Sequence, residues 1–158
     1  MANPNGNQGL FLDLAGTLIR MDAARQLPID SEGNVIMQLM PNVAETLAPL
    51  RDHLIFIVTN QAGIARGRLT MRAVEKAMVE LDDALGDILT GWQICPHDEN
   101  AKCKCRKPLG GMITELALMY GVDLDLSTMV GDQAVDQHAA IDAGVGKFIY
   151  ASEFFGWR

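Results

Sequence analysis

FLDLAGTLI, residues 11–19, is an apolar run that reaches one acid, Asp13, and then turns through Gly16. Such a run reads as a buried strand, and a carboxylate at its carboxyl end stands where a nucleophile can stand. Two residues further, at the position expected for a proton-transferring partner, the chain has Ala15.

Working outward, the same kind of apolar run recurs. GLFLDL (9–14) and HLIFIVT (53–59) read as strands, followed by WQIC (92–95), STMVG (127–131) and GKFIY (146–150). Between them lie helical stretches. Residues 42–51 are helix-like. From Thr70 to Leu89 the apolar residues Val74, Ala77, Met78, Leu81, Leu85 and Ile88 recur at helical spacing, with Thr70 as N-cap. Met112 to Tyr120 is closed by Gly121, and Ala134 to Ala143 by Gly144. Strand and helix in alternation predict an α/β fold, a doubly wound parallel sheet with ligands at the carboxyl ends of its strands.

The chain has 158 residues, which predicts one domain over 9–158 behind a flexible polar leader, 1–8. Apolar residues make up 49% and charged residues 21%, a soluble globular balance. A net charge of -7 argues against a nucleic-acid or membrane-surface footprint while allowing a local basic pocket. No apolar run reaches the ~18–20 residues that span a bilayer, and the polar start is unlike a signal peptide. The expectation is a cytoplasmic protein, a monomer or small homo-oligomer.

The residues after each strand carry chemistry. They are Asp13, Gly16 and Thr17; Thr59 and Asn60, then QAGIARG; Arg106 and Lys107; and GDQAVD, with Asp132 and Asp136. Acids converging from two strand ends suit a hard cation such as Mg²⁺. Thr59, Lys107 and backbone N–H groups near Gly16 suit phosphate oxygens. The chemistry such a set serves is phosphoryl transfer, with an aspartate attacking phosphorus while metal and lysine neutralise charge.

CPHDENAKCKC places Cys95, His97, Cys103 and Cys105 in a C-x-H-x5-C-x-C arrangement. Three thiolates and an imidazole complete a tetrahedral zinc shell, which leaves no open position and makes the site structural. It would pin the loop that presents Arg106 and Lys107. His53 and His138 read as surface residues, and the methionines as packing. The closing FFGWR either covers an apolar edge or meets a partner.

In these motifs the chain resembles the haloacid dehalogenase superfamily of phosphotransferases, in the branch holding histidinol-phosphate and D,D-heptose 1,7-bisphosphate phosphatases. FLDLAGTLI, IVTNQAGIARG, CRKP and MVGDQAVDQHAAIDAG match its four motifs in order, and the branch shares the zinc loop. The resemblance implies a Rossmann-like sheet of strand order 3-2-1-4-5. The stretch between Ile19 and Pro41 is too short for a large cap domain. It further implies Asp13 as nucleophile, with Thr59 and Lys107 binding the transferring phosphoryl group. Mg²⁺ would be held by Asp13, the backbone carbonyl of Ala15 and Asp132, with Asp136 ligating or orienting. Asn60, Arg66 and Arg106 would hold the rest of a small phosphorylated metabolite, although Arg66 reads equally well as a solvated loop arginine.

In most such phosphatases the first motif is D-x-D-G-T; here it is D-L-A-G-T. The metal ligand at that position is a backbone carbonyl, so Ala15 keeps the metal and loses the proton shuttle. General acid–base catalysis contributes ~10²–10⁴-fold, roughly 3–5 kcal/mol of barrier. Alkyl phosphates need that proton far more than acyl phosphates do. The phosphonoacetaldehyde hydrolases carry a similar D-x-A-G-T, but take a lysine from a cap this chain has no room for. Gln133 stands where many heptose phosphatases have lysine or arginine. The expectation is therefore a Mg²⁺-dependent phosphatase impaired on alkyl phosphates. The alternative is a catalytically degraded homologue, natural or engineered at Ala15, that still binds Mg²⁺ and a phosphate ligand.

Overall fold

A computed structural model describes residues 7–158. Most of the expected leader thus lies outside the described residues; at its end the Asn7 carbonyl accepts the Asp123 N–H at 2.8 Å. Five parallel strands form the sheet: β1 (Gly9–Leu12), β2 (Leu54–Asn60), β3 (Gly91–Cys95), β4 (Thr128–Gly131) and β5 (Lys147–Tyr150). Their order is β3-β2-β1-β4-β5, which is the order implied by the resemblance. The helices are α1 (Val43–Leu47), α2 (Met71–Leu85), α3 (Gly111–Tyr120), α4 (Ala134–Ala143) and α5 (Ala151–Phe154).

Alternation along the strands splits the core in two, because successive side chains point to opposite faces. Leu10, Leu12, Ile55, Ile57 and Val130 pack with α1, α2 and α5. Phe11, Phe56, Val58 and Met129 pack with α3 and α4, and Phe11 stacks on Phe56 at 5.1 Å. A strand buried on both sides is apolar throughout, which is why β1 reads as a continuous run.

Two helical stretches end earlier than their periodicity suggests. α2 stops at Leu85 because Gly86 adopts φ 86, and the Asp82 carboxylate then accepts the N–H groups of Ile88 and Leu89 at 2.9 Å. Ile88 still packs into the core, so its place on the stripe reflects burial rather than helix. The 42–51 stretch tightens after α1 into a 3₁₀ turn, Ala48–Leu50, where Pro49 cannot donate to a continuing helix.

The insertion between β1 and α1 is a small non-helical flap. Isolated bridges Ile19–Leu39 and Ile29–Val35 close it. Arg68 ties it down by donating to the Leu27 carbonyl at 2.7 Å and to Asp22 Oδ2 at 3.2 Å. At the far end of the chain Phe155 is buried and stacks on Trp157, whose indole N–H donates to the Pro41 carbonyl at 2.6 Å. The closing FFGWR therefore covers the α1 side of the core. Among the described residues, no helix is long and apolar enough to cross a membrane.

Candidate active site

β1 delivers Asp13 to the carboxyl edge, where its N–H donates to the Val130 carbonyl at 3.0 Å. The turn that follows requires Gly16: φ is 80, and a Cβ there would lie 2.5 Å from Asp132 Oδ2. Lys107, 3% exposed, sits beneath the acids. Its Nζ donates to Asp13 Oδ1 at 2.8 Å, Asp136 Oδ1 at 2.7 Å and the Val58 carbonyl at 3.0 Å. All the hydrogens of that ammonium are used. Asn60 holds the lysine's main chain from both sides, accepting from its N–H at 2.9 Å and donating to its carbonyl at 3.0 Å. The amide expected to touch substrate is thus engaged with Lys107, although it still lines the cleft.

At the start of α4, Asp136 Oδ2 accepts the N–H groups of Asp132 and Gln133, both at 3.1 Å. With Oδ1 on Lys107, both oxygens of Asp136 are committed, which suits an orienting role. Thr17 Oγ1 lies between Asp13 Oδ2 at 3.3 Å and Asp132 Oδ1 at 3.4 Å.

Carboxylate oxygens of Asp13, Asp132 and Asp136 lie within 4.8 Å of one another. Burial, reinforced by Asp132 and opposed by Lys107, pushes Asp13 up to about 6. Burial and the Asp13 charge likewise raise Asp136. For Lys107, burial pulls downward, but Asp13 and Asp136 outweigh it and the net shift is upward. Acids crowded to this degree want more positive charge than one lysine supplies. All-oxygen donors fit a hard divalent cation, and Asp13, Asp132 and the Ala15 carbonyl could hold it.

Above the acids opens a cleft of about 330 Å³. Thr59 is buried at its floor, and its Oγ1 accepts from Gln61 Nε2 at 2.9 Å, which leaves the Thr59 hydroxyl hydrogen to donate into the cleft. Arg25, Arg66, Arg68 and Arg106 line the walls. Arg66 and Arg106 both face Glu99, at 2.7 and 3.9 Å, and Arg106 also donates to the His97 carbonyl at 3.2 Å.

The expected zinc ligands do converge. Cys95 Sγ lies 3.9 Å from Cys103 Sγ and 3.5 Å from His97 Nδ1, which is 3.2 Å from Cys105 Sγ. A tetrahedral zinc shell has edges of roughly 3.5–3.8 Å, from Zn–S and Zn–N lengths of about 2.3 and 2.0 Å. The Cys95–Cys105 pair is tighter, at 2.7 Å. Burial lifts Cys95, and lifts Cys105 to about 12, while a hydrogen bond from the Arg106 backbone brings Cys103 down to about 7. The donor set fits a closed structural zinc.

Sequence reasoning missed Arg25, Gln61, Arg68 and Glu99. Gln61 sits inside the second motif and could have been flagged there. The other three act through partners more than thirty residues away, or across the cleft, and carry no local signal.

Fold, strand order and site together define a phosphatase of the haloacid dehalogenase superfamily. Residues 10–151 match the family model described as polynucleotide kinase 3 phosphatase, and the chain belongs to that family. It is 35% identical over 152 residues to the D-glycero-beta-D-manno-heptose-1,7-bisphosphate 7-phosphatase of Haemophilus ducreyi, covering 89% of this chain and 80% of that one. The enzyme of the same name from Escherichia coli K12 is 33% identical over 149 residues, covering 87% and 75%. Among solved structures, the D,D-heptose 1,7-bisphosphate phosphatase of B. bronchiseptica, complexed with magnesium and phosphate, superposes with a TM-score of 0.77. It shares 29% identity over 89% of this chain and 78% of that one.

Proposed function

We propose that this protein is a Mg²⁺-dependent phosphoric monoester hydrolase. Its substrate is a small phosphorylated metabolite of the sugar bisphosphate or histidinol-phosphate type, turned over through an aspartyl-phosphate on Asp13. The observation that carries the reading is the single lysine ammonium joining Asp13 and Asp136 beneath a cleft lined by Thr59. Magnesium at the acids would neutralise charge on the phosphoryl oxygens and fix their orientation. The Thr59 hydroxyl holds the same group from the other side, and Lys107, its hydrogens committed to Asp13, Asp136 and the Val58 carbonyl, contributes its positive charge from beneath Asp13. Arg66 and Arg106 supply positive charge for the remote part of the substrate. The zinc loop, through Cys105, sets where Arg106 and Lys107 stand.

Ala15 leaves the leaving oxygen without its usual proton donor. The described residues that line the cleft include no histidine, tyrosine, cysteine or glutamate that could replace it. Alkyl phosphates should therefore turn over slowly, and better leaving groups faster.

The test is Mg²⁺-dependent phosphate release from a heptose 1,7-bisphosphate, histidinol phosphate and acetyl phosphate, with the native chain and Ala15→Asp in parallel. Fast turnover of one sugar phosphate by Ala15→Asp alone supports a phosphatase that has lost its acid. Unchanged turnover in Asp13→Asn would remove the nucleophile from the reading. Silence from both chains, with inorganic phosphate still bound, would favour the degraded, ligand-binding homologue.

A further inference from the structure

The cations around the cleft have different commitments. Lys107 serves Asp13 and Asp136, Arg66 and Arg106 share Glu99, and Arg68 fastens the flap. Among the described residues, Arg25 alone reaches the side of the acids that Lys107 does not serve. Its guanidinium, 59% exposed, faces Asp132 Oδ2 at 3.6 Å, an ion pair too long for a good hydrogen bond.

The backbone beneath it is firmly set. Arg25 has φ 62, uncommon for a residue with a side chain. Its N–H donates to the Asp22 carbonyl at 3.0 Å, and Asp22 Oδ1 accepts from Ala24 and Gln26 at 2.9 and 3.0 Å. Arg68 then clamps Asp22 Oδ2 at 3.2 Å. A hydrogen-bonded turn thus carries one exposed cation to the cleft that Ala15 also lines, where the proton donor is missing.

A guanidinium does not give up its proton, so it cannot act as that donor. It can stabilise a leaving oxygen that departs as an anion, as arginines do in other phosphoryl transfers. We propose that Arg25 supplies charge where the missing acid would supply a proton, and that the site takes anhydrides of phosphoric acid. This rests on the aspartyl-phosphate chemistry proposed above and goes beyond its ester substrates, to a leaving group that needs no proton.

The steps balance without a general acid. An Asp13 oxygen bonds to phosphorus and the bond from phosphorus to the bridging oxygen breaks. The electron pair stays on that oxygen, which leaves as a carboxylate or phosphate anion facing Arg25. Water then adds to phosphorus and the Asp13 oxygen departs with its electron pair. One proton of the water stays on its oxygen and the other passes to a phosphoryl oxygen, giving dihydrogen phosphate and the free carboxylate.

The full chain, with Mg²⁺, is tested on acetyl phosphate, inorganic diphosphate and glycerol 3-phosphate as native protein, Arg25→Ala, Arg25→Lys, Asp13→Asn and Ala15→Asp. Arg25→Ala should lose about a hundredfold in kcat on an anhydride, the effect of removing one transition-state anion donor. Arg25→Lys should recover part of it. A loss on acetyl phosphate alone would assign a mixed carboxylic anhydride, and a loss on diphosphate alone a phosphoanhydride. Ala15→Asp should gain glycerol 3-phosphate turnover that no longer depends on Arg25 when the two changes are combined. Calorimetric titration gives a readout apart from activity: Arg25→Ala should bind Mg²⁺ severalfold more tightly, because the cation facing Asp132 is gone. Native rates on both anhydrides in Arg25→Ala, or an unchanged Mg²⁺ affinity, would overturn the proposal while a dead Asp13→Asn leaves the phosphatase reading standing. Release that survives Asp13→Asn would sink the reading beneath it.

Discussion

Lys107 and Asp13 meet through a 2.8 Å bond between Nζ and Oδ1, ninety-four residues apart in sequence and buried at the floor of the cleft. The same ammonium binds Asp136, so one cation holds two acids brought from different strand ends. Truncating it leaves two buried carboxylates unpaired. Lys107→Met should lower stability by about 3–5 kcal/mol in urea denaturation and abolish turnover. Mg²⁺ should restore part of the stability but none of the turnover, and a midpoint equal to the native one would contradict this account.

Asp13 carries a pH signature. Its folded-state value of about 6 stands above its ordinary 3.8, so the metal-free fold holds this proton more tightly than the unfolded chain does. Its contribution to stability is complete below the ordinary value and is lost as pH rises through about 6. Mg²⁺ needs the carboxylate free, so its affinity should weaken roughly tenfold per pH unit below about 6, with proton release on binding. Titrations at several pH values in two buffers of different ionisation heat would show both effects. Asp13→Asn should flatten the profile.

Zinc content is directly measurable. The purified chain should hold one zinc per molecule, and Cys103→Ser or Cys105→Ser should lose it. Removal by a strong chelator should cost about 2 kcal/mol, a Tm drop of roughly 4–8 °C, and should depress activity through the loop that ends at Lys107. Added Mg²⁺ should not rescue it. Full activity in a zinc-free chain would detach this loop from the mechanism.

Glu99 faces Arg66 and Arg106 from an exposed position, where ion pairs contribute little to stability. Glu99→Gln should therefore leave the unfolding midpoint nearly unchanged. By freeing both guanidinium groups it should lower KM for a doubly anionic substrate, more at low than at high salt, with kcat unaffected. A higher KM would mean that Glu99 positions the arginines rather than competing for them.

The parts legible in the sequence were those with local signatures. The strands were visible because β1 and β2 are apolar on both faces, and the clustered acids Asp13, Asp132 and Asp136 because they follow strand ends. Cys95, His97, Cys103 and Cys105 lie within one short segment, and their side chains converge. The end of α2 was less legible: Gly86 was the signal, but Ile88 kept the apolar stripe going past it. Arg25 with Asp132, Glu99 with Arg66 and Arg68 with the flap join loops that have no periodicity, so their pairing emerges only from the fold. Asn60 was visible as a residue near the site, but its role was not, since two bonds to another segment's main chain leave no trace in spacing.

Those two bonds, from the Asn60 side chain to the N–H and carbonyl of Lys107, fix a distance as well as a contact. Counting back from Lys107, Cys105 and Cys103 have their own appointment at the thiol cluster. The segment from Cys103 to Lys107 is therefore fastened at both ends and cannot change length without pulling the ammonium from under Asp13. Between His97 and Cys103 the chain runs through exposed residues, Glu99 to Lys102, and there the loop can lengthen or shorten without moving either anchor.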